Sequence, residues 1–155
     1  PLQPRPPFVA YYNMRDFGGA MSNNLIVEST FKNSYAEGAN ACQYTEIRIQ
    51  FAGGALLIPF SAKGCVSELQ FMNMSGKKTD LSALGCDFTD WVDLKIVISQ
   101  SVLTIQVEGN ESLTFPIDFT PVKFVGIGFT FQGTGAVDYL KISNHEGEVY
   151  YNDDF

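Results

Sequence analysis

Basic charge is scarce in this sequence. Ten lysines and arginines stand against seventeen acids, Lys77 and Lys78 are the only adjacent pair, and the formal net charge is −7. Binding a phosphate backbone needs a basic face that displaces counterions, so nucleic acid is excluded as an expected partner. An anionic membrane surface is disfavoured on the same ground. Long apolar runs are missing too. No stretch approaches the roughly 20 residues of a membrane-spanning helix, and no signal peptide is legible. No Cys-x-x-Cys or His/Cys cluster occurs, which removes support for a zinc site, so neither metal nor cofactor is expected. The single histidine, His145, sits in "SNHEGE" and reads as an exposed turn residue, without the adjacent nucleophile that a catalytic base requires.

What remains is a foldable chain. Hydrophobic residues make up 45% of its 155 positions and charged ones 17%, which argues against disorder. The opening "PLQPRPP" carries four prolines and favours an extended spacer, so residues 1–7 are expected to be linker and 8–155 one domain. A chain that starts at Pro1 also reads as a piece tethered to, or cut from, an upstream segment.

Short alternating or β-branched runs recur between Gly, Asn and Ser, the pattern of an antiparallel sandwich or barrel. Expected strands are Phe8–Asn13, Leu25–Phe31, Tyr44–Phe51, Ala55–Phe60, Glu68–Met74, Trp91–Ile98, Val102–Glu108, Ser112–Asp118, Val122–Phe131, Ala136–Ile142 and Glu148–Tyr151. "TDLSALGCDF" can hold one helical turn capped by Thr79 or Asp80. Hairpin register tests the strands, because facing residues share a sheet face. A turn at Gly53-Gly54 sets Phe51 against Leu56, Ile49 against Ile58 and Ile47 against Phe60. A turn at Gln100-Ser101 sets Ile98 against Leu103, Ile96 against Ile105 and Leu94 against Val107. A three-residue loop, Gly109-Asn110-Glu111, sets Val107 against Leu113, Ile105 against Phe115 and Leu103 against Ile117. Apolar meets apolar throughout, and a one-residue slip would scatter every pair.

Extending the first hairpin outward brings Cys42 opposite Cys65 as a hydrogen-bonded pair with Cα atoms about 5.5 Å apart, a span that a disulfide accepts. The alternative is three thiols, Cys86 included, packed as small apolar residues. A thiol titration of the denatured chain separates the two.

Near the C-terminus the sequence reads "GTGAVDYLKIS". That stretch resembles the closing strand of concanavalin A-like lectin/glucanase domains, and "WVDLKIVISQSVLTIQVEGNESLTF" and "VGIGFTFQGTG" are similar to segments of laminin G-like relatives. The resemblance covers about Trp91 to Asp154. It implies an all-β, antiparallel two-sheet jelly-roll sandwich, and a non-catalytic module working outside the cytoplasm on a bacterial surface, whether periplasmic, cell-surface or secreted, with a glycan or a surface protein as partner. Glucanases of that superfamily carry a Glu-x-Asp-x-x-Glu strand whose two carboxylates share one face. Here "YTEIRIQF" offers Glu46, then Arg48 and Gln50, so the enzyme reading is disfavoured. A glycoside hydrolase or lyase with carboxylates from separate strands, and a purely structural spacer, stay open as alternatives. "YNDDF" reads as a solvated acidic end rather than a calcium site.

Alternation groups Asp138 with Leu140 and Ile142, facing inward. Asp138 is therefore expected to be structural, accepting backbone N–H groups from the turn Gly133-Thr134-Gly135. Tyr139 and Lys141 then face outward. Gly126 and Gly128 on one face of the preceding strand suggest a shallow trough, which Tyr139 would flank or which a neighbouring Trp91, Phe or Tyr would fill. Tyr44, Arg48 and Gln50 form a second outward polar stripe. These six residues, Tyr139, Lys141, Trp91, Tyr44, Arg48 and Gln50, are the candidate ligand contacts.

Overall fold

The computed structural model describes residues 9–13, 24–34, 42, 44–65, 68–72, 79–117, 123–132 and 134–154. The expected linker 1–7, and Phe8, Asn73, Met74, Asp118, Val122 and Gly133, lie outside them. Among the described residues twelve strands follow one another: β1 Val9–Asn13, β2 Asn24–Ser34, β3 Thr45–Phe51, β4 Gly54–Phe60, β5 Glu68–Met72, β6 Thr79–Asp80, β7 Val92–Ser99, β8 Val102–Val107, β9 Leu113–Pro116, β10 Phe124–Phe131, β11 Thr134–Ser143 and β12 Val149–Asp153. They build two six-stranded sheets. Sheet one runs β1-β10-β3-β4-β5-β6 and sheet two runs β12-β11-β2-β7-β8-β9, with every described pairing antiparallel.

The period-two pattern decides which faces meet. Ile47, Ile49, Phe51, Leu56, Ile58 and Phe60 from sheet one are buried against Leu25, Val27, Phe31, Ile96, Ile98, Leu103 and Ile105 from sheet two. At the centre, Phe31 stacks on Phe88 at 5.5 Å and 13°, and meets Phe60 and Phe129 at tilted angles. Thr79-Asp80 forms the short β6, and the expected helical turn is a single 3-10 turn at Ser82–Leu84. The Asp80 carboxylate accepts the Ser82 N–H at 2.8 Å, which holds its pKa below the usual aspartate range.

The β7–β8 register matches the sequence reading: Ile98 faces Leu103, Ile96 faces Ile105 and Leu94 faces Val107. Gln100 and Ser101 both take positive φ, as a two-residue hairpin turn demands. Two other hairpins are offset by two residues from expectation. In β3–β4, Ile49 faces Leu56 and Ile47 faces Ile58, because the turn is Ala52-Gly53. Only Gly53 adopts the left-handed conformation, at φ +95°, while Gly54 has already joined the strand opposite Phe51. In β8–β9, Ile105 faces Leu113 and Leu103 faces Phe115. That loop is longer than three residues: Glu108 still donates its N–H to Asp93 O, and Asn110 Nδ2 reaches Leu84 O and Gly85 O. An offset of two preserves the faces, so the core assignment survives both corrections.

Cys42 and Cys65 form a disulfide with Cα atoms 5.6 Å apart. The bridge is not a rung of the ladder, since the described β3–β4 pairing ends at Thr45 and Phe60 and Cys65 lies in the bend that follows β4. Cys86 is a free, half-buried thiol, and burial first, then Asp87 and Glu108, push its pKa up to about 11.

Candidate functional site: the two outer sheet faces

Asp138 departs furthest from expectation. Val137 pairs with Phe31 and Tyr139 with Thr30, so Asp138 is the extra residue of a β-bulge. The bulge resets the alternation. Leu140 and Ile142 stay inside, Val137 packs on the core, and Asp138 is exposed. It therefore does not sit at the inner rim binding the turn. The bulge disturbs the ladder beside Tyr139, whose carbonyl accepts the hydroxyl of Ser29 at 2.7 Å from an inward position of β2. Ser29 is the polar group that serves this break in the ladder. Gly135 meets the structural expectation differently: a Cβ there would fall 1.9 Å from the Phe131 ring, so only glycine allows that ring its place.

The topology also separates what sequence had put together. β10 and β11 are consecutive in the chain but belong to different sheets, so Tyr139 cannot flank Gly126 and Gly128. Those glycines are buried, and Phe124 turns into the core beside a register shift in β10, packing on Phe51 at 6.1 Å. The six candidate contacts split between two opposite faces. Arg48 and Gln50 belong to sheet one, with Tyr44 just ahead of β3, while Tyr139, Lys141 and Trp91 belong to the side of sheet two.

On the outer face of sheet one, three register rows cross the central strands: Thr130, Glu46 and Pro59; Gly128, Arg48 and Leu57; Gly126, Gln50 and Ala55. Gln50 is anchored at the β3–β4 turn, where Nε2 donates to Phe51 O at 2.9 Å and Gly54 O at 3.2 Å. That fixes its Oε1, which accepts both Nε (3.0 Å) and Nη2 (2.8 Å) of Arg48. The guanidinium is thus held in one orientation by a neutral amide. Both side chains are half-buried. Glu46, two residues away on the same face, is also half-buried; burial raises its pKa, and the nearby Arg48 opposes the shift. Tyr44 is tied by its backbone, its N–H donating to Gln132 Oε1 at 3.2 Å and its carbonyl accepting Gln132 N–H at 3.0 Å.

The outer face of sheet two is more open. One row crosses Tyr139, Thr30 and Asp93; the next crosses Lys141, Glu28 and Lys95, which alternate in charge, and then the neutral Gln106. Between the rows lies a groove of about 400 Å³ bounded by Glu28, Thr30, Asp93, Lys95, Gln106, Glu108 and Tyr139. Thr30 Oγ1 donates to Asp93 Oδ1 at 2.6 Å. Burial raises the Tyr139 phenol pKa, with a further push from Glu28. Trp91 is 41% exposed at the edge of this face, and Lys32 Nζ lies 4.7 Å from its ring centroid. Sequence reading missed Glu28, Thr30, Asp93, Lys95, Gln106 and Glu108. Glu28, Thr30, Asp93, Lys95 and Gln106 occupy outward strand positions and Glu108 lies in the turn just past β8, but only the strand order β11-β2-β7-β8 reveals that they converge.

Among the described residues no group of three or more metal-ligating side chains gathers, and no helix is long and apolar enough to cross a membrane. His145 is exposed in the β11–β12 turn, where its N–H donates to Asn24 Oδ1 at 2.8 Å.

Two antiparallel sheets with this strand order define a concanavalin A-like jelly roll, the fold of the galectins. No family model matches the sequence. Among solved structures the chain is similar to galectin LEC-6 of Caenorhabditis elegans, with a TM-score of 0.66 and 12% identity over 90% of this chain and 94% of that one. It is similar to CG-16, a homodimeric agglutinin from chicken liver, with a TM-score of 0.65 and 10% identity over 87% and 100%. It is also similar to lactose- and MES-liganded congerin II, with a TM-score of 0.62 and 10% identity over 81% and 96%.

Proposed function

We propose that this chain is a lectin-type carbohydrate-binding module that presents a rigid polar sheet face and makes or breaks no bonds. The observation that carries it is the Arg48–Gln50 pair. Four hydrogen bonds hold two planar polar groups half-buried on the outer face of sheet one, and an array ordered before binding loses little entropy when it meets sugar hydroxyls. The resemblance in fold to a lactose-liganded protein agrees with this reading. The module works outside the cytoplasm, as the Cys42–Cys65 disulfide supports, and its partner is glycan at a cell surface, free or carried on a protein.

One observation favours a second location for the ligand. The groove on sheet two falls in the size range of small-molecule sites, and Tyr139 offers it an aromatic wall. Glycan-array screening followed by calorimetry on the best ligand tests both. Loss of binding in Arg48→Ala and Gln50→Ala with retention in Tyr139→Ala supports sheet one. The reverse supports the groove. Failure to bind any glycan in the array, or release of reducing ends from a polysaccharide, would overturn the reading altogether.

A further inference from the structure

Among the described residues, three buried side-chain oxygens have no hydrogen-bond partner: Asn33 Oδ1, Thr45 Oγ1 and Ser61 Oγ. Their residues are 1%, 1% and 4% exposed. Asn33 comes from β2 in sheet two, Thr45 opens β3 in sheet one, and Ser61 directly follows β4 in sheet one.

Independent constraints bring them to one corner. Thr45 faces Phe60, the neighbour of Ser61, at the end of the β3–β4 pairing. Just beyond that rung the Cys42–Cys65 bridge fastens the same two segments together. Asn33 Nδ2 donates to Tyr44 O, one residue before Thr45, at 3.3 Å. The corner is also walled: Asn33 N–H donates to Phe88 O at 2.7 Å, and Gly85 approaches the Lys63 backbone so closely that a Cβ would fall 2.9 Å from its Cα.

The orientation of the Asn33 amide is not arbitrary. Tyr44 O is an acceptor, so the nitrogen must face it, and Oδ1 is left as an acceptor that needs a donor. Leaving one such group unmet is costly, and a native interior seldom leaves three together. Neutral oxygens without a carboxylate are a poor set for a divalent cation, which demands charge and about six ligands. They suit water, which makes about three hydrogen bonds when buried.

We propose that this corner binds an internal water molecule, which donates to Asn33 Oδ1 and hydrogen-bonds to the Thr45 and Ser61 hydroxyls. The water joins sheet two to sheet one where the disulfide closes the β3–β4 end. The test is water-selective NOE and ROE spectroscopy on the oxidised, isotope-labelled full chain, in the parent and in Thr45→Val and Ser61→Ala. The parent should show a long-lived water next to the Asn33 side-chain amide. Each variant, confirmed as folded by its amide spectrum, should shorten that residence time at least tenfold or abolish the signal. If Thr45→Val does not fold, Ser61→Ala carries the test alone. Absence of the water signal in the parent, or an unchanged signal in the folded variants, overturns the proposal. So does a melting temperature that rises with sodium or potassium but not with choline, since that would assign the corner to a cation.

Discussion

The two outer faces of this sandwich cover the same core and solve the problem of polar exposure differently. On sheet one the polar groups are half-buried and locked: Gln50 bonds the turn and Arg48 bonds Gln50. On sheet two Asp93, Lys95, Gln106 and Glu108 are exposed and ring an open groove. The inner faces are alike because burial imposes one rule on both, apolar at every second residue. The outer faces are free to differ, and that difference is where function can be written. A fixed array suits discrimination among hydroxyl patterns, whereas an open groove ringed by exposed charged chains suits weaker, less selective contact.

The largest effect is expected from opening the disulfide. Replacing both Cys42 and Cys65 by serine frees a loop closed over 23 residues of separation and should cost about 3 kcal/mol of stability. The loss should be uneven. Hydrogen exchange in the β3–β4 ladder should accelerate more than in β7–β8, because the bridge holds the end of sheet one. Equal acceleration in both sheets would break the distinction between a clamped and an unclamped layer. Next in size is ligand binding. Arg48→Ala removes a charged donor and leaves the Gln50 carbonyl unmet, so glycan affinity should fall about 10- to 100-fold, equivalent to roughly 1.4–2.7 kcal/mol. Tyr139→Ala should change it less than threefold. Titration calorimetry of the two variants side by side decides which face binds.

A pH series sharpens the same contrast. Burial holds the Glu46 carboxyl above the usual glutamate range, so the native state binds that proton more tightly than the unfolded state does. Its contribution to stability is therefore present at acid pH and is lost as pH rises from the ordinary glutamate value through the raised one. Glu46→Gln, which stays neutral, should match or exceed the parent in melting temperature at pH 7 and lose that advantage near pH 4. A variant less stable than the parent at pH 7 would mean that Glu46 is ionised and usefully paired with Arg48.

Much of the layer structure was legible in the sequence. Ile47, Ile49, Ile96, Ile98, Leu103 and Ile105 alternate cleanly, and hairpin parity assigns their face even where the register is off by two. Turn chemistry was only half legible. Gln100-Ser101 was placed correctly, but Gly53-Gly54 offers two glycines and only the backbone shows which one needs a positive φ. The disulfide was one of two open readings of the cysteines; the bridge overturns the three-thiol reading, and its pairing was reached through an incorrect rung, since chain beyond the ladder end brings Cys42 to Cys65. The candidate contacts fared differently. Alternation assigns a residue to a face of its own strand but does not say which sheet holds that strand. Hence Tyr139 was set beside Gly126 and Gly128, which belong to the other layer.

Asp138 is the finest probe of the comparison, because strict alternation and the observed bulge give opposite answers. An inward aspartate satisfying turn donors would cost about 1–3 kcal/mol to remove. The bulge instead leaves it exposed, while Ser29 supplies the hydrogen bond to the neighbouring Tyr139 carbonyl. Asp138→Ala should therefore change stability by no more than about 0.5 kcal/mol, as expected of a surface substitution. Ser29→Ala, one residue across the ladder, should cost about 1–2 kcal/mol by leaving that carbonyl unmet. Chemical denaturation of both variants reads the pair directly. If Asp138→Ala proved the more damaging, the bulge would be misplaced, and Tyr139 would turn away from the groove with it.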